Sequence, residues 1–296
     1  MATFLYNPEL KSKNELIAEF VVRTEIYEDI LQDLETSKMK GPEQHYLLVG
    51  QRGSGKTTLL NRLKYGIEDS PVLKNRVIPI LFNEEQYNIS ELVNLWENVA
   101  QHLEDYHGFE GIYDQMLSNM SKASFEELSY DILRAPLKAR NKKLILLIDN
   151  IGDMLKKLGM LEVRRLREIL QTYSEIRLIV SSPFYLETLL DYHQPLFEFF
   201  KVIRLDGLSE QETQLLLLKL AEINAEEEKI RQIIAETPER IETLRALTGG
   251  VPRTIALMFN IFIEFNDQDS VKDLEKILDA VTPLYKHRMD DLPTQQ

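Results

Sequence analysis

Cysteine is absent from the 296-residue chain. That excludes disulfides, thiolate metal sites and a cysteine nucleophile. No run of about 18 apolar residues occurs, so no transmembrane helix is expected. The first twenty residues carry Glu9, Lys11, Lys13, Glu15 and Glu19, and this charge interrupts the apolar stretch that a secretion signal needs. A cytoplasmic chain with no membrane attachment is expected. The five histidines (His45, His102, His107, His193, His287) show no metal-ligand spacing, and there is no Gly-x-Ser-x-Gly element and no internal repeat. Positive charge is in short supply: 35 Lys and Arg against 48 Asp and Glu give a net charge of −13. Such a chain repels a phosphate backbone on average, so direct binding to nucleic acid is not expected. The short runs "RNKK" (Arg140–Lys143), "RRLR" (Arg164–Arg167), "NAEEEK" (Asn224–Lys229) and "MDDL" (Met289–Leu292) read as solvated helix or loop surface.

What is present is a core. The composition, 44% apolar and 28% charged, suits a globular chain of two unequal domains. Apolar residues recur at helical spacing from Ser12 to Leu34, with Phe20–Val22 open to a short extended interruption. "HYLLVG" (His45–Gly50), "RVIPILF" (Arg76–Phe82), Leu144–Ile148, "IRLIVSS" (Ile176–Ser182) and "KVIRL" (Lys201–Leu205) read as strands. Pro79 removes one donor from the second, which implies a ladder interruption or an edge position. Helices are expected over Lys56–Gly66, Ile89–Leu103, Phe125–Leu137, Phe184–Leu190 and Leu161–Tyr173, the last with an apolar stripe of Leu161, Val163, Leu166, Ile169 and Leu170. Trp96 is expected in the core. After Leu205 strand signals stop. Helices follow over Glu210–Ile223, Glu226–Ile234, Pro238–Leu247 and Arg253–Phe265, and a fifth begins near Ser270. The pattern predicts an α/β domain, a parallel five-stranded sheet with helices on both faces over residues 1–206, and an all-helical domain over 207–296.

Chemistry is concentrated in "GQRGSGKTTLL", directly after the first strand. Gly50, four residues, then Gly55-Lys56-Thr57 is the P-loop pattern. Gly50, Gly53 and Gly55 allow backbone N–H groups to turn toward a phosphate, and Arg52 and Ser54 complete the loop. The next helix offers its N-terminal N–H groups and dipole to the anion. Lys56 reaches the β- and γ-phosphates, and Thr57 offers Mg²⁺ a hydroxyl. Thr58 is a further contact, assigned to the α-phosphate. In "KLILLIDNIGDML" five apolar residues run straight into Asp149, which becomes the magnesium carboxylate. Nucleotide (ATP or ADP) and Mg²⁺ are the expected ligands. Many hydrolases of this kind place a glutamate next. Here the next residue is Asn150, which cannot accept a proton from water at neutral pH. Asp153, Glu84 and Glu85 are the alternative carboxylates, and slow hydrolysis is expected.

With these residues the chain resembles P-loop ATPases of the AAA+ superfamily, near the STAND and origin-recognition branch, over nearly its whole length. "FVVRTEIYEDILQDL" (Phe20–Leu34) is similar to that branch's N-terminal box, which implies that Phe20, Val21 and Arg23 line an adenine pocket. Val22 stands where the family has glycine. "LDGLSEQETQLLL" (Leu205–Leu217) resembles the linker and first lid helix. "GGVPRTIALM" (Gly249–Met258) resembles the sensor 2 element, which implies that Arg253 contacts the phosphates and that Val251 and Pro252 pack near the base. Sensor 1 falls at Ser181-Ser182, and Ser181 is the chosen candidate. The segment before the fifth strand holds no arginine, which leaves Arg164, Arg165 and Arg167 as candidates to act across an interface. "VTPLYKHRMDDLPTQQ" resembles the segment that leads into a winged helix in multidomain members, so an excised module or a short homologue is expected.

Three functions compete. The first is a nucleotide-dependent conformational switch with weak ATPase activity, signalling to a protein partner or a downstream effector or DNA-binding domain and able to self-associate with nucleotide. The second is a DNA-associated ATPase of initiator or transposition type, assembling on nucleic acid. The third is a small-molecule kinase, which would carry an Arg-rich lid in place of an acidic helical domain.

Overall fold

The computed structural model describes residues 11–83, 89–183, 196 and 198–264. They form two compact units. One comprises residues 25–51 and 56–205; the other contains the described parts of 1–24, 52–55 and 206–296.

The larger unit is built on five parallel strands: β1 (His45–Val49), β2 (Val77–Phe82), β3 (Lys143–Ile148), β4 (Ile176–Ser182) and β5 (Phe200–Arg204), in the order β2-β3-β4-β1-β5. β1, β3 and β4 are apolar runs, and β1 and β4 are buried end to end, as expected of strands covered on both faces. β2 is an edge, one of the two outcomes that Pro79 implied. Arg76 O accepts from Lys143 N and Phe82 O accepts from Asp149 N. The two-residue period therefore turns Ile78 and Ile80 toward β3 and leaves Pro79, which has no N–H, facing outward. A proline at that position blocks strand addition to the edge.

The covering helices are α2 (Thr24–Thr36), α3 (Lys56–Asp69), α4 (Leu92–His107), α5 (Ile112–Leu117), α6 (Phe125–Ala139) and α7 (Ile151–Thr172), with α1 (Lys13–Glu19) preceding them in the smaller unit. Trp96 is fully buried, packs on Tyr130 at 5.1 Å between ring centroids, and donates Nε1–H to Glu126 at 2.8 Å. Two elements depart from expectation. The short α5 carries too few residues to show a helical period. α7 begins directly after Asn150, ten residues before the expected start, and breaks at Gly159, so Leu161 is exposed rather than part of the stripe. The expected helix over 184–190, the helix from Ser270, and Glu84 and Glu85 lie outside the described residues. Among the described residues no helix is long and apolar enough to cross a membrane.

At the amino ends of β1 and β4 the buried Arg177 donates to Gln44 O (2.9 Å), Glu43 Oε2 (3.2 Å) and Asp33 Oδ2 (2.5 Å), and Tyr46 O–H donates to the same Asp33 oxygen (2.8 Å). This ties α2 to the sheet. Beside it, His45 Nδ1 accepts the Leu178 N–H at 3.0 Å. Burial, aided by the Arg177 charge, pushes the His45 imidazole down to about 3.

The smaller unit is helical: α8 (Glu210–Asn224), α9 (Glu227–Glu236), α10 (Glu239–Thr248) and α11 (Pro252–Glu264) pack around Leu208, Leu217, Ile230, Ile241, Ile255 and Phe259. A capping box opens α8: Ser209 Oγ accepts the Glu212 N–H while Glu212 Oε2 accepts the Ser209 N–H. Gly249 and Gly250 sit at φ 61° and 66°, and Leu208 N donates to Gly250 O at 2.7 Å. The backbones approach so closely that a Cβ on Gly207 would stand 2.3 Å from Gly249 O.

The depressed His45 pKa predicts an acid-sensitive fold. The native ring stays neutral while the unfolded ring takes up a proton near its ordinary value, so the stabilisation is complete above about pH 6.5 and is lost as pH falls toward 3. The slope for one such group is about 1.4 kcal/mol per pH unit. His102, lowered to about 4 chiefly by burial, adds to the same limb. Denaturant unfolding measured across this range is expected to weaken steadily with acid, and His45→Gln, which keeps an acceptor for Leu178, is expected to flatten the slope by roughly half.

Candidate functional site

The strand order brings the two sequence motifs together. β4 lies between β3 and β1, and Leu48 and Val49 pair with Ser181 and Ser182 while Ile148 pairs with Val180. The residues just past these strands, Gly50 and Asp149, therefore flank the end of β4. This is the carboxyl edge of the sheet, where ligands of parallel α/β folds bind. Gly50 N donates to Ser182 O at 3.3 Å and starts the loop.

Asp149 is buried at the centre. Its Oδ2 accepts from Thr57 Oγ1 at 2.5 Å. Its Oδ1 accepts from Ser181 Oγ. Ser181 Oγ in turn accepts the Asn150 N–H at 3.1 Å. One carboxylate thus joins the first turn of α3, the end of β4 and the start of α7. Lys56 Nζ lies back across the loop and donates to Gly50 O (2.7 Å) and Gln51 O (3.2 Å). Thr58 is half-buried in the first turn of α3, whose free N–H groups open at Lys56.

Asn150 sits at φ 51°, ψ 56°, in the left-handed region. Asparagine enters that region far more readily than glutamate does. The amide here is therefore a conformational requirement of the turn from β3 into α7, in addition to any chemical meaning. Its Nδ2 donates to Asp153 Oδ2 at 3.0 Å, and Asp153 is exposed. Ser182 Oγ is buried and has no hydrogen-bond partner among the described residues.

Within the smaller unit the loop residues Arg52–Gly55 meet the element at the start of α11. Gly53 and Gly55 adopt φ 85° and 98°. A Cβ on Gly53 would stand 2.9 Å from Arg253 Cβ, and Arg253 N donates to Gly53 O at 3.3 Å. Pro252 opens α11 and is buried. Ser54 Oγ and Arg253 Nε are buried without hydrogen-bond partners among the described residues, while Arg52 is exposed. Phe20 and Val21 are half-buried in the turn that separates α1 from α2. Arg23, at φ 63°, is buried; its guanidinium donates to Asp206 O and its N–H to Glu212 Oε1 at 3.4 Å. Glu212 therefore serves two partners, Ser209 with one oxygen and Arg23 with the other. Burial pulls the Arg23 guanidinium below its ordinary pKa.

These residues fit a phosphate with a divalent cation. In the larger unit Lys56 and the free N–H groups that open α3 suit an anion. The Thr57 hydroxyl and Asp149 carboxylate are hard oxygen donors already in contact. In the smaller unit, Ser54 Oγ and Arg253 Nε have no hydrogen-bond partner among the described residues. Sequence reasoning missed that Ser181 is committed to Asp149 and Asn150, because the pairing of β3 with β4, which brings together residues 32 positions apart, is invisible in a one-dimensional pattern. It also missed the Arg23–Glu212 contact. Arg165, one of three arginines considered for an interface, is occupied by Glu126 and Glu168 at 3.0 Å each.

Fold and site together define a P-loop nucleotide-binding protein. A family model described as "AAA domain" matches residues 39–190, and the chain belongs to that family; it is a P-loop AAA+ ATPase module. Members of the family generally bind ATP or ADP with Mg²⁺. No curated protein matches the sequence. Among solved structures, the Orc1 protein of Aeropyrum pernix in complex with DNA is similar in fold, with TM-score 0.52 and 16% identity over 94% of this chain and 72% of that one. Cdc6p of Pyrobaculum aerophilum aligns with TM-score 0.49 and 16% identity over 86% of this chain and 66% of its own. Domain III of the Thermotoga maritima replication initiation protein DnaA aligns with TM-score 0.46 and 14% identity over 92% of this chain and 97% of its own. The chain thus spans about two thirds of the length of Cdc6p.

The turn at Asn150 makes a prediction independent of ligand. Asn150→Val places a β-branched residue at positive φ and is expected to cost at least about 1–2 kcal/mol, whereas Asn150→Gly is expected to fold with near-native stability. Urea unfolding of the two variants measures the difference. Ser181→Ala strips a buried acceptor from the Asn150 N–H and is expected to cost about 1–3 kcal/mol.

Proposed function

We propose that this module is a nucleotide-dependent conformational switch with weak ATPase activity. Residues 1–206 serve as the nucleotide-binding core and residues 207–296 as a lid. The observation that supports this most is the convergence of Thr57 and Ser181 on the single carboxylate of Asp149, with the Asn150 N–H held in turn by Ser181. Bound Mg²⁺ would be held by Thr57 and Asp149 and would neutralise charge on the β- and γ-phosphates. Gly50, Arg52, Gly53, Ser54, Gly55, Lys56 and Thr58 hold the phosphates. Phe20, Val21, Arg23 and Pro252 belong to the base side. Arg253 reads the phosphates from the lid, so its contact depends on the γ-phosphate and sets the lid angle. The motion passes to a protein partner, an effector or a second copy of the chain.

Chemistry in this arrangement is slow. Asn150 orients water without taking its proton. Asp153 lies within hydrogen-bond reach of the Asn150 amide, but it is exposed and so poorly shielded for general-base work. Ser181, whose hydroxyl donates to Asp149, positions that carboxylate instead of sensing a phosphate directly. A second reading, an ATPase assembling on nucleic acid, draws on the fold-level likeness to an Orc1 protein in complex with DNA and is opposed by the charge of −13. Salt-steep binding to a DNA duplex would favour it.

Lys56→Ala is expected to abolish tight nucleotide binding, measured by calorimetry. Small-angle scattering and protease sensitivity are expected to differ between the ATP and ADP states; identical profiles would sink the switch reading. Asn150→Asp tolerates the left-handed backbone and supplies a carboxylate, so it is expected to raise turnover. An unchanged rate would mean that the amide does not limit the chemistry.

A further inference from the structure

A cavity opens at the end of the sheet opposite Asp149. It holds about 230 Å³ and sits at the amino end of the edge strand β2, within the larger unit. Its floor is apolar: Val77, Ile78, Pro79 and Phe109. Its rim is cationic. Lys74 comes from the turn between α3 and β2, His107 from the last turn of α4, and Arg140 and Lys142 from the connection between α6 and β3. Glu68, in the last turn of α3, is the single acid among the described lining residues, and Lys64 stands 4.0 Å from it. Lys74, Arg140 and Lys142 thus outweigh one partly neutralised carboxylate, on a chain whose net charge is −13.

Cations near helix ends often do no more than cap the last carbonyls. Here that duty uses only part of them. Arg140 donates one N–H to Gly108 O at 2.9 Å, and Lys142 donates to Asn75 O at 2.7 Å. A guanidinium carries five N–H donors and an ammonium three, so both keep donors to spare. The Arg140 guanidinium lies over the Phe109 ring, 4.1 Å from its centroid, which holds it above the floor. Lys74 and His107 make no hydrogen bond or ion pair among the described residues. Burial, with the Lys142 and Lys64 charges, holds the His107 imidazole below its ordinary range, so the rim is positive as a neighbour feels it.

The strand edge decides what kind of molecule fits. An added peptide strand needs N–H donors along the edge. None is offered at the pocket, because the Val77 N–H is spent on Leu73 O at 2.8 Å and Pro79 has none. The volume falls below the roughly 300–1,000 Å³ of drug-sized sites, which leaves space for one ring or a short chain with one head group. An apolar floor gives nothing to a bare inorganic ion. We propose that this pocket binds a small organic anion, a phosphate monoester or carboxylate on a compact apolar body, with Lys74, Arg140 and Lys142 on the head and Val77, Pro79 and Phe109 beneath the body. Hydrogen bonds from these cations to such a head are charge-assisted, and so about twice as strong as neutral ones. The pocket lies at the amino edge of the sheet and the P-loop at the carboxyl edge, so this ligand is held independently of any nucleotide.

Calorimetry with phenyl phosphate, benzoate, inorganic phosphate and phenol tests it. The full chain is titrated with Mg-ADP present in excess, and again as Lys56→Ala, so that the P-loop is filled in one case and disabled in the other. Phenyl phosphate or benzoate is expected to bind once per chain in both, and the tighter of the two identifies the head group. Inorganic phosphate is expected to bind at least about tenfold more weakly, and phenol not at all. Lys74→Glu with Arg140→Gln, both exposed side chains, is expected to weaken the organic anion about tenfold or more while the melting temperature stays near native. By NMR, the His107 ring is expected to titrate at higher pH when the pocket is filled, a shift that a purely structural role for the rim would not give. No binding of either organic anion, binding that the paired variant leaves unchanged, or inorganic phosphate as tight as phenyl phosphate would overturn the proposal. So would binding that Mg-ADP and Lys56→Ala both abolish, since the P-loop would then be the site.

Discussion

Everything at the site depends on one buried carboxylate. Asp149 stands at the end of β3 with one oxygen on Thr57 and the other on Ser181. A buried carboxylate is costly unless its acceptors are used, and the fold uses both. The consequence is geometric. Thr57 can reach Asp149 only because α3 begins directly after the loop, and Ser181 only because β4 runs beside β3 in the observed register. The hydroxyl of Ser181 then fixes the Asn150 N–H, and with it the start of α7. The proposed metal-binding position, a strand register and a helix start are parts of the same hydrogen-bonded chain.

That chain changes the meaning of Asn150. In sequence it stands where a glutamate would activate water. In three dimensions it occupies a left-handed turn, which selects for asparagine, aspartate or glycine before any question of catalysis. The loss of a base and the demand for a tight turn coincide at one residue. On the proposed reading, slow chemistry would follow from the architecture of the β3–α7 junction as much as from a missing functional group.

Much of this was legible in the sequence. Strand runs such as "HYLLVG" and "LILLI" are continuous because both faces are buried, and a period-free apolar run announces that. The P-loop was legible because its glycines, lysine and threonine are tied to fixed roles. Pro79 left β2 a choice between an interrupted ladder and an edge, and the strand order makes it an edge. Three things were not legible. The pairing of Ser181 with Asp149 depends on strand order, which local patterns do not encode. The junction of Arg23, Asp206 and Glu212 links residues nearly two hundred positions apart through a backbone carbonyl and a shared capping carboxylate. The phase break at Gly159 was hidden because Leu161 fits an apolar stripe on paper, and only the glycine's backbone takes it out of the core.

The central claim is that this site holds a nucleoside triphosphate far longer than an ordinary enzyme would. The most direct measurement is a single-turnover experiment: a stoichiometric complex of the protein with Mg-ATP labelled at the γ-phosphate, quenched over seconds to hours. The account predicts that most of the bound nucleotide remains triphosphate well beyond the time scale of ordinary turnover, about 1–10³ s⁻¹. Complete release of the γ-phosphate within about a second would contradict it.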